Sequence, residues 1–111
     1  MLDMREYARR VVELTAGQTE QALAPGGDWR FQASLERLLE VIGEAANRVS
    51  KEVQAQFPQI PWAAIIGMRN ILVHAYDSID PAKLWHAATV SVPELLAHLD
   101  AAIAQMPPFE T

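Results

Sequence analysis

From Phe31 to Val53 the side chains Phe31, Leu35, Leu38, Ile42, Ala45, Val49 and Val53 recur every three or four residues, a period that only a helix turns into one continuous face. Such a face spans about six turns and must be covered by partners of similar length. That demand sets the fold class, helices packed on helices. No stretch of the sequence alternates apolar and polar residues as a half-buried strand does. Asp28, just ahead of the stripe, can accept from the free amides of the first turn and start the helix. Gly43 sits inside the stripe at a cost of about 1 kcal/mol relative to Ala, which points to a place where another backbone comes close.

The flanking segments follow the same rule. Met4, Ala8, Val11 and Thr15 step by four, three and four, and Glu6 and Arg10 add a favourable i,i+4 pair. Gly17 and then Pro25-Gly26-Gly27 interrupt this first helix. Pro58 and Pro61 mark a turn, with Pro61 placed to be the first residue of a third helix. Asp80-Pro81 gives an N-cap and first-turn proline to a fourth, carrying Leu84, Trp85 and Ala88. Ser91-Val92-Pro93-Glu94 has capping-box spacing for a fifth, unless Pro93 only kinks a continuous helix. Leu95, Leu99, Ala102 and Met106 supply its apolar face. The expected fold is all-α, an up-and-down bundle of four to five helices in a single domain over residues 1–111.

Composition narrows the function classes. Half of the 111 residues are hydrophobic, yet no run approaches the ~18 apolar residues that a membrane helix needs. The first six residues include the charged Asp3, Arg5 and Glu6 and lack the apolar core of a signal peptide, so a cytoplasmic protein is expected. Without cysteine there are no disulfides and no thiolate metal sites, and neither a metal nor a cofactor is expected. Nine basic residues face 14 acidic ones, a net charge of -5, which argues against the broad basic field of a general nucleic-acid binder. Between Trp62 and Trp85 the charges balance: Arg69 and Lys83 against Asp77 and Asp80.

Chemistry concentrates in Met68-Arg69-Asn70-Ile71-Leu72-Val73-His74-Ala75-Tyr76. Arg69 can hold a phosphate by paired hydrogen bonds, and His74 can move a proton near neutral pH. Ile65, Arg69, Leu72 and Tyr76 share one helix face, while Asn70 and His74 share the neighbouring one. Arg69 and His74 lie about 140° apart on an ideal helix. They converge on one ligand only where the helix ends near His74, or where a second copy supplies the other half. Asp77-Ser78 is the expected end.

The flanks extend the pattern: Ile42-Gly43-Glu44-Ala45-Ala46 upstream, then Pro58-Gln59-Ile60-Pro61-Trp62 leading into the motif, and Ile79-Asp80-Pro81 with Leu84-Trp85 after it. From about Asp28 to Trp85 the chain resembles the HepT-like branch of the HEPN superfamily, small helical proteins with the signature Arg-x4-His-x-Tyr. The resemblance implies a homodimer with paired motifs facing a shared cleft. It further implies a metal-independent endoribonuclease acting through Arg69 and His74, assisted by Asn70, with a 2',3'-cyclic phosphate product. HepT-like members are often toxins of type VII-like toxin–antitoxin pairs. Their antitoxin is a minimal nucleotidyltransferase of the MntA type, which attaches AMP to the signature tyrosine, here Tyr76. The implied partners are therefore RNA, a second copy and that nucleotidyltransferase, with no membrane.

Two other functions fit the same residues. The pair could grip a nucleotide or RNA phosphate without cleaving it, or the helices could serve only as a scaffold that docks a nucleotidyltransferase. Residue by residue, Arg69 could pair with Glu44 across the bundle, His74 could be a hydrogen-bonded helix-end histidine, and Tyr76 a core or interface aromatic. His86 and His98 read as ordinary helix residues, because no carboxylate stands at metal-ligand spacing. Trp62 and Trp85 read as core or dimer anchors, whereas Trp29 at a helix start is less easily assigned.

Overall fold

The computed structural model describes residues 1–74 and 80–106, and the side chains of residues 1–68 and 80–106. Its elements are α1 (Leu2–Thr15), a 3-10 turn (Glu20–Leu23), α2 (Trp29–Arg48), α3 (Lys51–Gln56), α4 (Trp62–His74), α5 (Pro81–His86), a π-helical turn (Ala87–Ser91) and α6 (Val92–Gln105). The described residues contain no strand, and the fold is the all-α bundle that the periodicity predicts. Helix α2 is its centre, packing on α1 along one flank and on α4 along another, while α6 packs on α1.

The core is made by stripes meeting. Met4, Ala8 and Val11 of α1, Phe31, Leu35, Leu39, Ile42 and Ala46 of α2, and Leu95, Leu99 and Ala102 of α6 are all buried. The α2 stripe differs from expectation by one residue at two places. Leu39 and Ala46 are buried, while Leu38 and Ala45 are half-buried against the core. Steps of four, four, three and four keep a 3.6-residue helix facing its partners, and Leu38 instead turns toward α1. Gly43 is buried in α2, the helix on which α4 packs most extensively.

The second helix also ends earlier than the apolar pattern predicts. Val49 is extended, Ser50 caps a new helix by accepting from the Val53 amide at 3.2 Å, and Gln54 Nε2 donates to the Val49 and Ala46 carbonyls. These polar bonds satisfy the free ends of α2 and α3, which a continuous helix would not need. Val49 and Val53 still pack on the core, so the stripe continues across a break in the backbone. Pro61 sits one residue ahead of its expected place, its carbonyl accepting from the Ile65 amide as an N-cap does.

Asp80 behaves as expected. Its carboxylate accepts from the Ala82 amide at 2.9 Å, with Pro81 in the first turn. Asp80 is extended, so α5 is a new helix rather than a continuation of α4. Ser91, in contrast, makes no side-chain cap and keeps helical angles. The chain runs as one helix from Pro81 to Gln105, widened at the π-helical turn. Pro93 lacks an N–H and its ring would strike the carbonyl four residues earlier, a conflict that a widened turn absorbs. Within that turn Thr89 Oγ1 donates to the Trp85 carbonyl at 2.7 Å. By length and mean hydropathy this 25-residue helix could cross a membrane, which no continuous apolar run in the sequence suggests. Leu84, Ala88, Val92, Leu95, Leu99 and Ala102 form its buried stripe, the pattern of a helix on a protein core.

Candidate active-site helix

Trp62 anchors the start of α4. It is buried, and its indole Nε1 donates to the Phe57 carbonyl at 3.1 Å, fixing the helix to the preceding turn. Ile65, one turn on, is also buried. Arg69 falls in the same register, four residues beyond Ile65 and seven beyond Trp62. Asn70 and His74 fall instead in the register of Ala63 and Gly67, at intervals of four and three residues. Ala63 and Ala64 are exposed, Ile66, Gly67 and Met68 are half-buried, and a Cβ added at Gly67 would meet nothing within 4 Å.

The helix Trp-Ala-Ala-Ile-Ile-Gly-Met-Arg-Asn-Ile-Leu-Val-His is apolar nearly all round, as a helix covered on every side would be. Its described flank toward solvent is nevertheless open. A cleft of about 350 Å³ runs between α4 and α6, with Pro61, Ile65 and Met68 on one wall and Val92, Leu95 and His98 on the other. That cleft is on another face of α4 from the register of Asn70 and His74, where Ala63 is exposed and Gly67 half-buried.

The candidate residues Arg69, Asn70 and His74 lie on the described backbone of α4, with their side chains outside the described residues. Tyr76 and the expected helix end at Asp77-Ser78 lie outside the described residues altogether. Glu44, the structural partner considered for Arg69, is 3.9 Å from both Arg37 Nη1 and Arg48 Nη2. Among the described residues no group of three or more His, Asp or Glu side chains could hold a metal ion. His86 and His98 are exposed helix residues, and Trp85 is half-buried against the core. A residue that its neighbours alone leave unassigned is Trp29, which stands 71% exposed at the start of α2.

Residues 4–102 match the family model described as Ribonuclease HepT-like. A Methanocaldococcus jannaschii protein named as a candidate RNase is 33% identical over 95 residues, covering 86% of this chain and 85% of its own. A second from the same organism, named likewise, is 28% identical over 95 residues, 86% of this chain and 77% of its own. A Thermococcus cleftensis protein named as a candidate ribonuclease HepT is 35% identical over 68 residues, 61% of this chain and 62% of its own. No solved structure is a significant match. By the extent of the family match and of the first of these relatives, the chain belongs to the HepT-like ribonuclease family.

Proposed function

We propose that the protein is the toxin of a HEPN–nucleotidyltransferase pair, a cytoplasmic, metal-independent endoribonuclease that works as a homodimer. The observation that carries this reading is the complete signature Arg69-x4-His74-x-Tyr76 within the matched region, its Arg69 and His74 on a helix that is apolar nearly all round and leaves Ala63 and Ala64 exposed. A second copy packing on the Ala63–Gly67 strip would cover the open flank. It would also bring two motifs together, which overcomes the 140° that separates Arg69 from His74 on one helix.

In the reaction the ribose 2'-hydroxyl attacks the adjacent phosphorus, and the bond to the 5'-oxygen breaks. The products are a 2',3'-cyclic phosphate and a 5'-hydroxyl. His74 removes the hydroxyl proton or protonates the leaving oxygen, chemistry suited to imidazole because its ordinary pKa of ~6.5 lies near the working pH. Arg69 neutralises charge building on the phosphate oxygens. Asn70 orients His74 or binds a phosphate oxygen. AMP attached to Tyr76 would place a phosphodiester beside Arg69 where the substrate phosphate belongs, so the nucleotidyltransferase partner switches the enzyme off.

The test is RNA cleavage by unmodified protein in excess EDTA, beside Arg69→Ala and His74→Ala. Cleavage persists in EDTA and falls by about 10²-fold or more in each folded variant. A verified unmodified dimer that leaves tRNA, mRNA and total RNA intact would instead favour the phosphate-binding or scaffold reading.

A further inference from the structure

Trp29 is the most solvent-exposed of the large apolar side chains described. It stands on a rigid base. The Asp28 carboxylate accepts from the Arg30 and Phe31 amides at 3.0 and 3.3 Å, and the Asp28 amide donates to the Ala22 carbonyl at 2.8 Å. Gly27 lies so close to the Ala22 carbonyl that any Cβ there would collide with it. The indole is thus presented from a fixed helix start.

Arg30 accompanies it. Its guanidinium carbon is 5.4 Å from the Trp29 ring centroid, the geometry of a cation–π pair. Every other arginine with a described side chain reaches a carboxylate: Arg5 and Arg9 on Asp100, Arg10 on Glu6, Arg37 on Glu40 and Glu44, Arg48 on Glu44. Arg30 makes no such ion pair among the described residues. In a chain of net charge -5, an uncompensated cation beside an exposed aromatic is a local exception.

The fold puts this pair at the end of α2 toward which α4 runs. Gln54 folds α3 back on the C-terminal end of α2, so α4 starts beside that end and packs along α2 in the reverse direction. Helix α5, which follows the motif, packs on the 3-10 turn Glu20–Leu23 that leads into Trp29.

We infer that Trp29, backed by Arg30, is a stacking platform for a base of the single-stranded RNA substrate. The inference rests on the ribonuclease reading. It supplies what the acidic chain otherwise lacks, a sequence-tolerant hold on RNA in which the indole takes the base and the guanidinium a phosphate.

The experiment uses the full chain as wild type, Trp29→Ala, Trp29→Phe and Arg30→Ala. Each is assayed for cleavage of a short mixed-sequence single-stranded RNA, and for binding of the same RNA with 2'-O-methyl riboses. Trp29→Ala raises KM and weakens binding about tenfold with little change in kcat, and Trp29→Phe restores most of the loss. Arg30→Ala weakens binding and lowers its salt dependence. If the wild type cleaves and Trp29→Ala has the same KM, the platform is wrong and the ribonuclease stands. If Trp29→Ala sediments as a monomer where the wild type is a dimer, Trp29 is a dimer anchor and the inference falls. If the methylated RNA binds through Trp29 but unmodified RNA is never cut, the platform survives and the ribonuclease reading fails. RNA neither bound nor cut by the wild type overturns both.

Discussion

Asp28 and Asp80 each close the amides of a helix start, at 3.0 and 3.3 Å in one case and 2.9 Å in the other, and both were readable as caps before any fold was known. Ser91 was readable in the same way and does not cap, because a cap requires the chain to leave the helix and here the π-helical turn carries it through. At this scale the proposed site rests on residue types: Arg69 for charge, His74 for the proton and Tyr76 as the proposed acceptor of AMP. Tyr76→Phe removes only the hydroxyl. That variant keeps RNA cleavage within a few-fold of the wild type and gains no mass of adenylate when incubated with ATP and the nucleotidyltransferase. Intact-protein mass spectrometry reads the result, and an adenylate-sized shift on the variant would refute the assignment. The signature could be read from the sequence because Arg69, His74 and Tyr76 fall within eight residues. Trp29 could not, since exposure is a property of the surface and no sequence period announces it.

Among the elements, α2 carries the most of the fold. Leu35, Leu39 and Ile42 are each fully buried on it, between the helices it joins. Leu39→Ala deletes three carbons where the surroundings relax only in part, and costs about 2–5 kcal/mol. Denaturant unfolding monitored by circular dichroism measures that loss, and a change under about 1 kcal/mol would mean the core collapses around the gap. The helical class and the position of α2 followed from apolar spacing, which survives any small error of register. Its end did not, because Val49 and Val53 continue the stripe whether or not the backbone breaks at Ser50. Hydrogen bonds from Ser50 and Gln54 decide that point, and their partners are known only once α3 folds back.

For the whole molecule, the exposed flank of α4 is the feature on which the proposed dimer rests. Ala63 is exposed in the single chain, so Ala63→Arg leaves the core intact while placing a charged side chain on the strip proposed to meet a second copy. The variant sediments as a folded monomer at micromolar concentration and loses RNA cleavage together with dimerisation. A dimeric, active Ala63→Arg protein would move the interface elsewhere. The bundle could be foreseen as a class from the sequence, but which face of α4 stays uncovered depends on how it packs on α2, and Ala63 is left exposed. That uncovered flank also bears on dosage. An enzyme assembled by pairing two such flanks gains active sites with the square of its concentration when dilute. A cell holding few copies would then be nearly untouched, and a modest rise in synthesis would release a disproportionate burst of RNA damage.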